Sequence, residues 1–164
     1  MVMVMLAARA YTENVPQSNQ TGGGTIAPLT SRQNAIVIDP VGFINALVSY
    51  NVIDLTVEYQ RALNDAFSLS FIPEFGFNSG LAGFSLGVGL NYHPFGQGID
   101  GLYVSLLATG GVISTTFLYE IDAMCGWRMV FGNGIVVSAG AGFGYHSMMS
   151  LRYRLKIAEV GYAF

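Results

Sequence analysis

The feature that most constrains the fold of this chain is an alternation of large apolar residues with small ones along stretches without charge. It is clearest over 84–92, Phe-Ser-Leu-Gly-Val-Gly-Leu-Asn-Tyr, where every second residue is large and apolar. A period of two places alternate side chains on opposite faces of a β-strand. Each such segment therefore predicts a strand whose two faces meet different environments.

Composition indicates what those environments are. Only 10% of the 164 residues are charged and 52% are hydrophobic, whereas about 25% of residues are charged in typical soluble domains. Strands can cross lipid only as a closed barrel, because every backbone group must be paired there. We therefore predict a transmembrane β-barrel. A soluble barrel with an apolar interior is the alternative, but it would need charges on the face that here carries mostly Gly and Ser.

Other functional classes receive little support. The net charge of −3 gives no indication of a nucleic-acid partner. Cys125 is the single cysteine, so the chain has neither an intramolecular disulfide nor a thiolate metal site. We expect no metal and no cofactor.

The N-terminal part is expected to lie outside the barrel. Residues 1–10 resemble the end of a secretory signal with an Ala-x-Ala cleavage site, but without a basic region before it. We interpret this as a truncated gene start, with a buried N-terminal strand as the alternative. No cysteine follows Ala10, which argues against a lipoprotein anchor. Residues 11–33 are polar and glycine-containing and are interpreted as a flexible leader, so the barrel should occupy 34–164.

We predict an all-β fold, an antiparallel up-and-down barrel of eight strands. The ranges are 35–46, 51–61, 67–77, 82–94, 102–112, 117–131, 135–146 and 150–164. An even number of strands returns both ends of the barrel to one side, which is the periplasm for an exported barrel. The connections 63–66, 95–101 and 131–134 would be periplasmic turns, since each offers Asn, Asp or Gly for positive φ. The connections on the other side are also short.

Aromatic residues fall into two bands on this topology, as expected for a spanning barrel. The periplasmic girdle is Tyr59, Phe67, Tyr92, Phe95, Tyr103, Trp127, Phe131, Tyr162 and Phe164. The outer girdle is Phe43, Tyr50, Phe75, Phe77, Phe84, Phe117, Tyr119, Phe143 and Tyr145. These bands predict insertion in a bacterial outer membrane, with its lipid and lipopolysaccharide as partners.

Segments 57–69 and 126–134 resemble the second hairpin and third turn of a family of small eight-stranded bacterial outer-membrane proteins. That family is similar in architecture to OmpX and OmpW and has no settled function. The resemblance covers about 34–164 and implies the fold and the outer membrane, but no catalytic residue. In addition, the alternating end with Tyr162 and Phe164 resembles the insertion signal read by the barrel-assembly machinery.

Alternation directs most mid-strand charges into the barrel. The expected interior charges are Asp54, Glu58, Glu74, Glu120, Asp122 and Arg128. Arg152, Arg154 and Lys156 on the last strand are the natural partners of the acids, yet counting back from an outward Phe164 places all three outward. A β-bulge near Ile157-Ala158 would turn them inward; otherwise they would lie at the outer interface and bind lipopolysaccharide phosphates. We favour the bulge, because it neutralises the acids.

This cluster of charges allows two functional interpretations. A salt-bridged plug with a structural or envelope role is favoured, because an eight-stranded barrel has room only for side chains. A narrow conduit or binding barrel for a small hydrophobic or cationic solute is the alternative. Short outer loops argue against adhesion, and a monomer is compatible with the sequence.

Catalysis is not expected. His146, Ser147 and Glu159 loosely resemble the catalytic set of lipid A deacylase barrels. However, the Ser adjoins the His and would face the other side of the strand, and Glu159 lies near the opposite end. His93 is interpreted as a polar rim residue, and Cys125 as a small apolar residue facing lipid. The interior glycines are expected to make room for side chains in a narrow barrel, with a small ligand cavity as the alternative.

Overall fold

In the part of the chain that the structure describes, the protein is a closed barrel of eight antiparallel strands with one short helix. The computed structural model describes residues 32–50, 53–78, 80–95, 98–148 and 150–164. The elements are β1 Asn34–Ile38, α1 Pro40–Tyr50, β2 Ile53–Ala62, β3 Phe67–Asn78, β4 Leu81–Tyr92, β5 Gly101–Ile113, β6 Thr116–Val130, β7 Ile135–His146 and β8 Ser150–Ala163. Each strand pairs with the next, and β8 pairs with β1.

The predicted number, order and direction of the strands are confirmed. Strands β2 to β8 begin and end within two residues of the predicted bounds. The predicted signal-like segment 1–10 and the leader 11–33 lie outside the described residues, apart from Arg32 and Gln33. No helix in the described part of the chain is both long and apolar enough to cross a membrane.

The prediction of a strand over 35–46 is wrong in its second half. β1 ends at Ile38, and helix α1 begins at Pro40. Asp39 caps this helix, since its Oδ1 accepts the Gly42 N–H at 2.8 Å. Pro40 occupies the first helical position, where a missing N–H costs no hydrogen bond. The pair Asp39-Pro40 therefore ends the strand and starts the helix, against the β preference of the apolar residues that follow.

Helix α1 takes the place of a strand in one half of the wall. This is the half nearer the β3–β4, β5–β6 and β7–β8 connections, called the upper half. The pairs that β1 makes reach only Val57 on β2 and Val160 on β8. Beyond Ile38, the helix packs against both β2 and β8. β1 and α1 together thus form the first segment of the barrel wall.

The two ends of the barrel differ. The lower rim carries the connections 63–66, 93–100 and 131–134, and the upper rim the β3–β4, β5–β6 and β7–β8 connections. Gly134 has φ +97° in its turn, as the sequence predicted. In the 93–100 connection, Ile99 is buried with five residues of the barrel interior. This apolar group, called the lower plug, is Ala35, Val37, Ala62, Ile99, Val136 and Ala163.

Side chains alternate between the interior and the outer surface, as the period of two predicts. The outward positions of the strands are almost entirely apolar. The girdle residues Tyr59, Phe67, Tyr92, Trp127 and Phe131 are all exposed on this surface. Two other expected girdle residues are not: Tyr103 points inward and is buried, and Phe43 lies on α1 facing the interior. The side chain of Tyr50 lies outside the described residues.

The β-bulge predicted on the last strand is confirmed by the β7–β8 register. Ser138 pairs with Glu159, but Gly140 pairs with Lys156. Two residues of β8, Ile157 and Ala158, therefore face one residue of β7. Such an extra residue reverses the alternation of the strand.

Because of this reversal, both halves of β8 direct apolar side chains outward and charged side chains inward. Below the bulge, Tyr162 and Phe164 are exposed on the outer surface. Above it, the basic residues Arg152, Arg154 and Lys156 reach interior carboxylates. The outer surface there is apolar instead.

Deleting Ala158 should abolish folding. With the extra residue gone, the segment above the bulge must turn over, which places three cations outside and leaves the interior acids with Arg128 as their remaining base. Removing the partner of a buried charge typically costs about 3–5 kcal/mol. The measurement is the folded fraction after refolding, read from heat-dependent migration in gels. Ala158→Gly, which keeps the residue count, is the matched control and should fold; a deletion variant that folds as well would contradict the role given to the bulge.

Candidate functional site

The interior charges form two ion-pair networks, one above the other. The lower one, called the buried quartet, comprises Glu58, Arg128, Lys156 and Glu159. Glu58 binds Arg128 Nη2 at 3.3 Å and Lys156 Nζ at 3.0 Å. Glu159 binds Lys156 Nζ at 2.5 Å and lies 3.6 Å from Arg128 Nη2. Two acids and two bases thus cancel in the middle of the barrel.

Neighbouring hydroxyl groups complete the quartet. Ser70 donates a hydrogen bond to Glu58 at 2.8 Å, and Ser138 donates one to Glu159 at 2.6 Å. Taking charges out of water is costly unless each is paired and hydrogen-bonded. Each charge of the quartet has an ion-pair partner, and together with the two serines the network joins five strands, β2, β3, β6, β7 and β8.

Glu159 is the quartet member that the sequence prediction left out of the charge cluster. It is fully buried, and it faces the same side as Lys156 although the two are three residues apart. Only the bulge allows this. The alternation counted back from Phe164 already placed Glu159 inward, so the signal for it was present in the sequence.

The upper network lies between the quartet and the upper rim. Arg154 binds Asp122 at 2.5 Å and Glu74 at 3.3 Å, and lies 3.6 Å from Glu120. Arg152 also pairs with Glu120. Asp54, which was also predicted to be an interior charge, lines the cavity near the upper rim that is described below. It has neither a hydrogen bond nor an ion pair with another described residue. The network therefore contains three acids and two bases.

Tyr103 fills the lumen beside the quartet. Its ring lies across two glycines of the neighbouring strands: a Cβ on Gly126 would be 2.5 Å from the tyrosine oxygen, and one on Gly140 would be 2.9 Å away. Arg128 lies over the ring, with 5.4 Å between Cζ and the ring centroid. These glycines therefore make room for a side chain, which agrees with the favoured prediction for them.

A neutral polar layer separates the quartet from the lower plug. Ser68 is its centre, with Gln60 Nε2 at 2.5 Å, Asn91 Nδ2 at 3.2 Å and His93 Nε2 at 2.9 Å. His93 follows the end of β4 and is fully buried. Burial, and secondarily the positive charge of Arg128, lowers the pKa of His93 to about 4. The imidazole is therefore neutral near pH 7.

Free space is distributed unequally along the interior. Around the quartet the remaining cavity measures about 10 Å³, which is at the lower limit for one water molecule. Between the quartet and the upper rim, with residues of the upper network in its wall, lies a cavity of about 380 Å³ that opens at the upper rim. We call this cavity the cup. The lumen is thus filled in its lower half and hollow in its upper half.

The three residues that loosely resemble the lipid A deacylase set, His146, Ser147 and Glu159, do not converge. Ser147 Oγ accepts the Tyr119 N–H at 3.2 Å, and His146 Nδ1 accepts the Met148 N–H at 3.1 Å. Glu159 belongs to the buried quartet instead. Among the described residues, no group of three His, Cys, Asp or Glu side chains is placed to hold a metal ion. Cys125 is exposed on the outer surface.

Arg128→Ala should be strongly destabilising. It leaves two buried carboxylates with one lysine, for which we expect a loss of about 3–5 kcal/mol in the free energy of unfolding. The measurement is a urea titration in a fixed detergent or lipid. Arg61→Ala removes an exposed arginine of β2 and is the matched control. Equal effects of the two substitutions would show that the quartet does not stabilise the fold.

His93 should make the barrel sensitive to acid. The unfolded chain binds a proton on this imidazole below pH 6.5, whereas the folded chain does so only near pH 4. Stability is therefore complete above the unfolded pKa and falls as the pH drops towards the folded one. In His93→Gln, which does not titrate, the loss of unfolding free energy between about pH 7.5 and about pH 5 should be smaller. An unchanged loss would assign the acid sensitivity to other groups.

Comparison with known proteins adds no relative from which a function could be transferred. The chain has no significant match among protein-family models, curated proteins or solved structures. The resemblance to small outer-membrane barrels stays a prediction from the sequence. Functional inference for this chain therefore rests on the barrel, its two surfaces and its interior.

Proposed function

We propose that the chain is an integral β-barrel of a bacterial outer membrane, with a structural or envelope role and no catalytic activity. The observation that carries this proposal is the outer surface. Apolar side chains cover it on all strands, while the mid-strand charges face the interior. Water would leave this large apolar area unfavourably exposed, whereas lipid would cover it.

The cost of charge in lipid supports the same placement. An arginine or lysine on the lipid face near the midplane costs about 2–4 kcal/mol. The β-bulge keeps Arg152, Arg154 and Lys156 off that face. Aromatic rings near the lower rim, such as Trp127, are exposed at a level that suits a membrane interface.

A closed lumen favours a structural role over a conduit. A solute would have to pass the buried quartet, beside which lies a cavity of about 10 Å³, and then the lower plug. Breaking the quartet would expose unpaired buried charge, which is costly. The non-catalytic assignment rests on the separation of His146, Ser147 and Glu159 described above.

Cys125 provides a direct test of membrane insertion. In the refolded chain in lipid vesicles, a membrane-impermeant maleimide should label Cys125 only after denaturation, because lipid covers the outer surface of β6. The control carries Cys125→Ser together with Asn133→Cys, which moves the thiol to the exposed 131–134 turn. It should be labelled in intact vesicles wherever that turn faces the reagent. Labelling of Cys125 in intact vesicles as fast as that of the control thiol would contradict the membrane placement.

Closure of the lumen is tested separately by planar-bilayer recording. The inserted wild-type barrel should give no stable, salt-scaled conductance. Tyr103→Ala combined with Ile99→Ala, which empties two filled levels of the lumen, is the comparison and should raise conductance. Stable wild-type channels would favour the conduit over the plug.

A further inference from the structure

The cup is a built cavity that the structural role leaves unused. It measures about 380 Å³ and opens at the upper rim, and among the described residues Lys156 and Glu159 of the quartet lie at its base. Its wall comes from helix α1 on one side and from strands on the others. A volume at the lower end of the usual range for small-molecule sites makes it a candidate binding site.

The charges that line the cup do not cancel. Lys156 and Glu159 at its base neutralise each other within the quartet. The other lining carboxylates are Asp39, Asp54, Glu74 and Glu120. They face two guanidinium groups, those of Arg152 and Arg154. Two negative charges are therefore in excess, and Arg154 additionally binds the buried Asp122.

The excess negative charge is greatest around Asp54. It has no hydrogen bond or ion pair with another described residue, and the acidic groups that act on it are Glu74 and Asp39. Arg154 also acts on it but is already bound to two carboxylates. Three carboxylates thus share one side of the cup with one committed cation.

Thr109 points independently to a ligand. It lines the cup, is nine-tenths buried, and its hydroxyl oxygen has no hydrogen-bond partner among the described residues. Its neighbours across the strands are Gly87 and Glu120, and a Cβ on Gly87 would approach the hydroxyl to 2.9 Å. Buried polar groups are nearly always paired. A ligand N–H group that reaches the floor of the cup would donate a hydrogen bond to this hydroxyl oxygen.

The lining favours an organic cation over a metal ion. No three acidic, His or Cys side chains in the described part of the chain converge as metal ligands do. Beside the acids, the cup has apolar wall residues, among them Phe43 of α1 and Leu118 of β6. An aromatic ring and aliphatic groups suit the carbon chain of an amine, and the ring also attracts cations.

We propose that the cup binds a small organic polyamine, with ammonium groups at Asp54 and Glu74 and an N–H donated to Thr109. Binding in the cup does not depend on where the barrel resides. The ligand enters and leaves at the upper rim, since the lumen is closed below. The site is therefore one of capture, not of passage.

The test is calorimetric titration of the refolded full chain in neutral detergent with spermidine as the probe. Wild type should bind one spermidine saturably. Asp54→Asn should weaken binding about tenfold, because it replaces a charge-assisted contact by a neutral one. Thr109→Val should weaken it about threefold, because it removes one neutral acceptor. Both variants should fold, as neither side chain has a hydrogen bond or ion pair with another described residue. Asp65→Asn, at the opposite rim, is the control and should bind like wild type.

The Thr109 variant separates a site from general attraction to an acidic surface. Diffuse attraction would respond to Asp54→Asn and to salt, but not to the loss of a buried hydroxyl. Unsaturable binding, equal affinity of Asp65→Asn and Asp54→Asn, or an unaffected Thr109→Val would each overturn the proposal. Binding of magnesium ion as tight as that of spermidine would also overturn the proposal. It would show that the cup attracts any divalent cation and does not recognise a polyamine.

Discussion

The structure depends on one constraint: in a closed barrel, the facing of every side chain in a strand follows from the facing of any other. A strand cannot turn one residue inward without turning its neighbour outward. With an apolar outer surface, the mid-strand charges must share one narrow interior and neutralise one another there. The bulge at Ile157-Ala158 is what makes this solution available to β8. One extra residue decides the direction of three cations.

The bulge also explains why the quartet has its composition. Lys156 and Glu159 are three residues apart, a spacing that puts two side chains on opposite faces of a regular strand. Here they form an ion pair of 2.5 Å inside the barrel. Without the bulge, Glu58 and Glu159 would share Arg128 alone. Neutrality of the mid-lumen and register of the last strand are therefore one property, which couples the interior charges to the closure of the barrel against β1.

Most of the fold could be predicted from the sequence because alternation and turn residues act locally. Strands β2 to β8 and the bulge were predicted from these signals. The helix α1 was not, since its apolar residues also suit a strand, and the deciding signal was a cap of two residues, Asp39-Pro40. Tyr103 was misplaced because an inward tyrosine next to two glycines cannot be told from a girdle residue by position alone. A ligand cavity was only the alternative prediction for the interior glycines, and the position of the cup could not be predicted because helix α1 forms part of its wall.

The helix accounts for the contrast between the filled and hollow halves of the interior. Neighbouring strands lie about 4.8 Å apart, whereas a helix with its side chains is about 10 Å across. Where β1 forms the wall, below Ile38, the circumference is that of eight strands, and side chains fill the lumen as they do in barrels of this size. Above Ile38, α1 packs against both β2 and β8, and the greater width of a helix implies a larger circumference at that level. The cup lies at that level, with Asp39, Gly42 and Phe43 of the helix region in its wall. A short capped helix thus converts half of a plugged barrel into an open, acidic cavity, while the exposed Ile44, Leu47 and Val48 continue the apolar outer surface.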